Sequence, residues 1–218
     1  MPASKHHDFE MTLYKMEVDI LSGRLMPEQR LVESELMEGY QVTRGTIRKV
    51  LKELDFKQLI KHHSNRGAVV ANPSKKEMED IYRARAVLEA SAVEGVIQNI
   101  DADALRRSAT YAQAFEEAFK EQNLRAMIAS NRLFHQTIFD TCGNRVIAEL
   151  IDQLRKRSHI WQHYIVGYPQ RMKATFAQHT AILRCIKNRD AAALRLINEE
   201  HLMEGYKSFM EDLRRSQE

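Results

Sequence analysis

The sequence predicts a mainly α protein, with an N-terminal winged helix-turn-helix and a C-terminal all-helical bundle of about six helices. Three observations carry this expectation. Glycine and proline are sparse, 8 and 4 in 218 residues, which disfavours a β-rich or fibrous chain. Apolar residues recur at three- and four-residue intervals over most of the length. Two short β-prone runs, LIKHH and GAVVA, sit side by side near residue 65 and have no counterpart later in the chain.

Composition narrows the setting. Hydrophobic residues make up 44% and charged residues 29%, enough to bury a core and keep a polar surface. No run of about 18 apolar residues exists to span a membrane, and the opening MPASKHHDFE has no apolar stretch of a secretory signal. A cytoplasmic protein without a membrane partner is expected. Cys142 and Cys185 are too few for a disulfide scaffold and lack metal-type spacing.

Residues 1–8 read as a flexible tail and 9–72 as a small domain. Phe9, Leu13, Met16 and Ile20 repeat at helical spacing over 9–22, with Gly23 as the stop and Pro27 in the loop. A short second helix covers about 34–39, turning Val32, Leu36 and Met37 inward. The third begins after Thr43, a good N-cap, with Val42 and Ile47 spaced for a hydrophobic staple. Ile47, Val50, Leu51 and Leu54 share one side of it; Arg44, Arg48, Lys49 and Lys52 fall on the other. The two β runs then form a hairpin through Ser64-Asn65-Arg66, with Gly67 placed for a tight turn.

The net charge of +3 decides little, but its distribution is informative. Between Arg44 and Arg66 there are seven basic residues against Glu53 and Asp55, which makes this segment +5. A charge cluster is most often only a solvated face. Here the third helix and the wing would direct it outward, as nucleic-acid binding requires.

The stretch reads IxxGxLxPxxxLxExxL…VTRxxIRxxLxxL…xxRGAxV. In this it resembles, over about 60 residues, the DNA-binding domain of GntR-family transcriptional regulators. The resemblance implies that Arg44 and Arg48 contact operator bases and phosphates, and that Arg66 and Gly67 approach the minor groove or the backbone. The candidate DNA-binding residues are Thr43, Arg44, Thr46, Arg48, Lys49, Lys52, Arg66 and Gly67. Lys49 stands where the family usually has Glu, Gly45 where it has Pro or Thr, and Ser34 where some members have Arg. Lys49 should add to the phosphate attraction, which carries no sequence information.

Asn72-Pro73-Ser74-Lys75-Lys76 is a polar connection, so 73–76 read as a linker and 77–218 as a second domain. Six helices are expected at about 75–98, 102–121, 123–141, 144–166, 170–188 and 190–214. Breaks fall at Asp101, Gln122, Gly143-Asn144, Gly167-Tyr168-Pro169 and Asn188-Arg189-Asp190.

Polar residues interrupt the apolar stripes of this domain. One stripe runs Leu124, Met127, Ile128, Asn131, Phe134, His135, Ile138, placing Asn131 and His135 side by side. Another runs Phe176, His179, Leu183, Ile186, and a third Leu194, Ile197, His201, Gly205. One inward histidine is ordinarily a satisfied core residue, but three on separate helices with an amide beside one favour a ligand cavity or metal site. His159 and His163, also four apart, project away from the stripe of Ile147, Leu150, Ile151, Leu154 and Trp161 and belong to a surface or interface. Arg85 interrupts the stripe of Met78, Ile81, Leu88 and Ala92; it either pairs with Glu89 or clamps the carboxylate of a ligand.

IYRARAVLEASAVE, NRLFHQTIF, CGN, QHTAIL and the late His201 resemble the FCD ligand-binding domain of the FadR branch of that family, in its six-helix, VanR-like form. The resemblance implies a divalent metal, zinc, nickel or manganese, on Asn131, His135, His179 and His201. Asn131 stands where Asp is commoner, which removes one negative charge from the ligand set. The resulting expectation is a homodimeric, metabolite-responsive regulator, expected to repress. It would bind a palindromic double-stranded DNA operator and sense a small organic acid through the metal and Arg85. Two alternatives are a metal-dependent enzyme fused to a DNA-binding domain, which no inward Glu or Asp supports as a general base, and a regulator with a vestigial cavity.

Overall fold

The computed structural model describes residues 2–63, 67–159 and 169–215. The chain divides into two compact units, Met1–Pro73 and Ser74–Glu218.

The first unit contains α1 (Pro2–Leu21), α2 (Glu33–Tyr40), α3 (Arg44–Phe56), β1 (Ile60–His63) and β2 (Gly67–Val70). The expected tail over 1–8 is instead helical from Pro2: proline suits the first helical turn, and no helix breaker lies between it and Gly23. Leu13, Met16 and Ile20 are buried, with Phe9 only partly so. The α2–α3 turn is closed by Gln41 in the left-handed region (φ 55°), and Thr43 then caps α3 by accepting from the Thr46 N–H at 3.3 Å. Ile47, Val50, Leu51 and Leu54 are all buried. β1 and β2 pair antiparallel from Ile60↔Val70 to His63↔Gly67, and Gly67 holds φ 70°, a conformation side chains disfavour. Residues 28–31 extend this hairpin, through Leu31 N–H to Ala68 O at 2.8 Å and Val70 N–H to Gln29 O at 3.0 Å. The turn residues of the wing, 64–66, lie outside the described residues, and Arg66 with them.

The second unit consists, among the described residues, of α4 (Lys75–Asn99), α5 (Ala102–Lys120), α6 (Leu124–Phe139), α7 (Arg145–His159), α8 (Pro169–Lys187) and α9 (Ala191–Arg215). α4 begins inside the expected linker because Ser74 and Glu77 form a reciprocal capping box. Asp101, Asn123, Asn144 and Asp190 accept side-chain cap bonds at the starts of α5, α6, α7 and α9. α4 packs on α7 and α9, α5 on α6 and α8, and α8 on α9. Gly95 lets α4 approach the loop after α6: a Cβ there would lie 1.9 Å from the Cys142 carbonyl oxygen. The shared core gathers Val93, Val96, Phe134, Ile138, Ile151 and Ile182.

Leu150, assigned inward on α7, is 41% exposed, whereas Arg155, Lys156 and Ser158 are buried. The inward line of α7 is Ala148, Ile151, Arg155 and Ser158, because the buried Glu89 and Arg85 of α4 meet Arg155 and Ser158. The stretch expected to prolong this helix to 166, including Trp161 and His163, lies outside the described residues, as does the side chain of His159.

Candidate DNA-binding face and three-histidine centre

The outer face of α3 carries Arg44, Arg48, Lys49 and Lys52, all exposed. Thr46 is turned back, its hydroxyl 3.1 Å from that of Thr43, so both threonines shape the helix start. Sequence reasoning missed an acidic partner. Arg48 donates from Nε to Glu33 Oε1 at 2.8 Å, and Arg44 Nε lies 3.7 Å from Glu33 Oε2. The hydrogen bond from Arg48 holds the Glu33 carboxyl below its ordinary range.

The second unit brings three expected histidines together. His135 comes from α6, His179 from α8 and His201 from α9, and one ligand nitrogen of each lies within 4.8 Å of the others. Their ring centroids form a near-equilateral triangle, with sides of 5.1, 4.9 and 5.2 Å. His179 is fully buried. Its ring stacks on Phe134 at 4.1 Å and meets the edge of Phe115 at 5.3 Å, so aromatic contacts fix its orientation. Neither of its nitrogens has a hydrogen-bond partner, and neither does the buried Oδ1 of Asn131, one turn before His135. A buried polar atom left unmatched costs about 1–3 kcal/mol. Gln178 Oε1 accepts from His201 Nδ1 at 2.8 Å, which leaves the Nε2 lone pair facing inward. The Nε2 atoms of His201 and His135 are 3.0 Å apart. With His201 Nδ1 donating to Gln178, its Nε2 accepts from His135 Nε2–H across the centre.

The expected oddity, Arg85, is buried and paired. It donates from Nε to Glu89 Oε1 at 2.9 Å and from Nη1 to Ser158 Oγ at 2.8 Å. Arg155 Nη1 reaches the same Glu89 oxygen at 3.3 Å, and Asn198 Nδ2 donates to Glu89 Oε2 at 3.0 Å. The intramolecular pair is therefore formed. Burial favours the neutral acid of Glu89, but the two guanidiniums outweigh it and hold the carboxyl below its usual range. Burial, and then Arg85, bring Arg155 down to about 10, which still leaves it a cation at neutral pH. Arg155 and Asn198 escaped the sequence reading. Asn198 had a signal, since it lies on the line of Leu194, His201 and Leu202.

Burial, reinforced by Arg155 and Arg85, pushes His201 down to about 3. Burial likewise takes His135 and His179 well below their ordinary value. The imidazoles are neutral at pH 7, the state in which they ligate metals. An unfolded chain would bind protons at these sites near pH 6.5, whereas the folded one does not. Stability of the chelator-treated protein should therefore fall as pH drops from about 6.5 toward 3. Urea midpoints at successive pH values should show this, with a shallower slope in His179→Phe; equal slopes would contradict it.

Two family models match the chain. That of the FCD domain covers residues 80–204, more than half of the 218, and that of bacterial regulatory proteins of the gntR family covers residues 12–70. The chain belongs to the GntR family. Its second unit is an FCD domain, and both matched domains are those of DNA-binding transcriptional regulators rather than of an enzyme. One relative is the uncharacterized HTH-type transcriptional regulator YdhC of Bacillus subtilis, 25% identical over 97% of this chain and 95% of that one. Another is the HTH-type transcriptional repressor GlaR of Escherichia coli, 26% identical over 85% and 88%. Among solved structures, E. coli McbR/YncC superposes with a TM-score of 0.83 at 19% identity, over 96% of this chain and 98% of that one; this similarity concerns the fold alone.

Proposed function

We propose that this GntR-family regulator is a homodimeric repressor of a palindromic operator, released when a small organic acid binds at a divalent metal in the FCD domain. The observation that carries this reading is the convergence of three imidazoles within 4.8 Å, beside a buried His179 and an Asn131 Oδ1 with no hydrogen-bond partners. His135, His179 and His201 would hold the ion, with Asn131 adding its side-chain oxygen. This donor set suits zinc, nickel or manganese. When bound, the metal would supply a fixed positive charge for a carboxylate. The chain adds charge of the same sign nearby, since Arg85 and Arg155 face Glu89 with one positive charge in excess. Arg85, although tied to Glu89, would thus favour an acidic effector through its field.

On the DNA side, Arg44 and Arg48 would read bases while Lys49 and Lys52 would meet phosphates. Thr43 and Thr46 would set the angle of α3, and Arg66 and Gly67 would place the wing. Repression is supported by the name of the GlaR relative, and a cytoplasmic location by the function itself. No helix among the described residues is long and apolar enough to cross a membrane.

A second copy is supported by α4 and α7. These packed neighbours expose Val87 (71%), Val146 (65%) and Leu150 (41%), apolar side chains that a second copy would cover. The triple variant Val87→Asp/Val146→Asp/Leu150→Asp should sediment as a monomer and lose most operator affinity. An unchanged dimer would place the interface elsewhere.

The reading is tested by measuring melting temperature and operator binding against a panel of small carboxylic acids, with and without added metal. An acid that raises the melting temperature and weakens operator binding only when metal is present supports it. No response to any metal or acid supports a vestigial cavity instead, and turnover of an acid would revive a catalytic role.

A further inference from the structure

We propose that Glu33 is a positioning residue for DNA reading: one carboxylate at the start of α2 holds the guanidinium forks of Arg48 and Arg44 in the orientation that discriminates sequence. The inference rests on the assignment of Arg44 and Arg48 to the DNA face.

The geometry is economical. Arg44 and Arg48 are four residues apart on α3, so their side chains leave the same helix face one turn apart. Glu33 Oε1 accepts from the Nε of Arg48 at 2.8 Å, and Oε2 faces the Nε of Arg44 at 3.7 Å, an ion pair rather than a hydrogen bond. Both arginines are approached at Nε. A guanidinium engaged there still has its terminal Nη1/Nη2 edge, the fork that matches O6 and N7 of guanine or two phosphate oxygens. The arginines are 61% and 65% exposed at their side chains and Glu33 only 34%, so the carboxylate sits behind the forks.

A carboxylate on a surface that meets phosphates weakens attraction to every DNA sequence alike. Its compensating effect is order. A long arginine side chain loses rotamer freedom when it docks in a groove, and one already tethered at Nε has less to lose. Tethering also restricts which base edges the fork can meet, so the effect falls on discrimination between sequences. Glu33 thus lowers indiscriminate binding and raises selectivity with one group. Its position in the first turn of α2 also suits the helix dipole, so the test must separate positioning from mere support of that helix.

The experiment uses the full chain and two duplexes. One is selected from a random-sequence pool on the wild-type protein, and the other is a scrambled duplex of the same composition; both are measured by fluorescence anisotropy at one fixed salt concentration. Glu33→Ala should bind the scrambled duplex as well as the wild type or about threefold more tightly, while the selected-to-scrambled ratio falls about tenfold. Glu33→Gln, whose amide oxygen can still accept from Arg48 Nε, should tighten both and keep most of the ratio. In an Arg48→Ala background, Glu33→Ala should change the ratio no further. A ratio within about twofold of wild type in Glu33→Ala, when Arg48→Ala alone collapses it, overturns the proposal. So does a parallel loss on both duplexes with a lowered melting temperature, which would make Glu33 a support of α2 only. If Arg48→Ala itself leaves the ratio intact, the DNA-face assignment falls, and this proposal with it.

Discussion

Arg44→Ala/Arg48→Ala should abolish sequence-specific DNA binding while leaving the fold intact. Both side chains are exposed on α3, opposite its buried line of Ile47, Val50, Leu51 and Leu54, so neither replacement opens a cavity. Each arginine that reads a base contributes about 1–3 kcal/mol of discrimination, and the pair together about 2–6 kcal/mol if their effects add. Strict additivity is not expected, because both touch Glu33 and removing one changes what the other faces. Lys52→Ala is the contrasting variant. It should weaken selected and scrambled duplexes alike and reduce the salt dependence by about one phosphate contact. Full affinity for the selected duplex in the double arginine variant would remove α3 as the reading element.

The other large effect concerns the imidazoles. His179→Ala, His135→Ala and His201→Ala should each cost more metal affinity than the roughly 10–100-fold caused by losing a supporting hydrogen bond. Gln178→Ala, which removes only the acceptor that orients His201, should fall in that smaller range. The three histidine variants should also lose the response to an organic acid yet keep operator binding, since the DNA-binding residues lie in the other compact unit. His62→Ala, an exposed histidine on β1, should change neither property. If the native protein carries no metal and the histidines and Arg85 hold the acid directly, Arg85→Ala should lose acid binding with metal content at zero throughout.

The parts of this architecture that were legible in the sequence are those where local chemistry and burial agree. Thr43 marks the start of α3, the apolar stripe of α3 fixes its phase, and Asn131, His135 and His179 stand out as polar residues in otherwise apolar lines. The illegible parts depend on partners distant in sequence. Arg155 looks like part of a solvated face of α7 until Glu89 on α4 is seen to receive it. For the same reason Leu150 was assigned inward when that helix is in fact turned to bury its cations. Glu33 was visible only as a motif position, because its pairing with Arg48 spans the α2–α3 turn. Residues 2–8 read as a tail because they have no apolar stripe; in the structure they continue the helix that carries Phe9.

Metal content tests the central claim most directly. The chain should be purified without chelator or affinity tag and analysed by inductively coupled plasma mass spectrometry beside His179→Ala. About one divalent ion per chain in the wild type, lost from the variant, is the predicted result, because a ring with two unmatched buried nitrogens needs such a partner. A wild-type protein that carries no metal, and whose melting temperature is unmoved by excess zinc, nickel or manganese, would contradict the three-histidine centre.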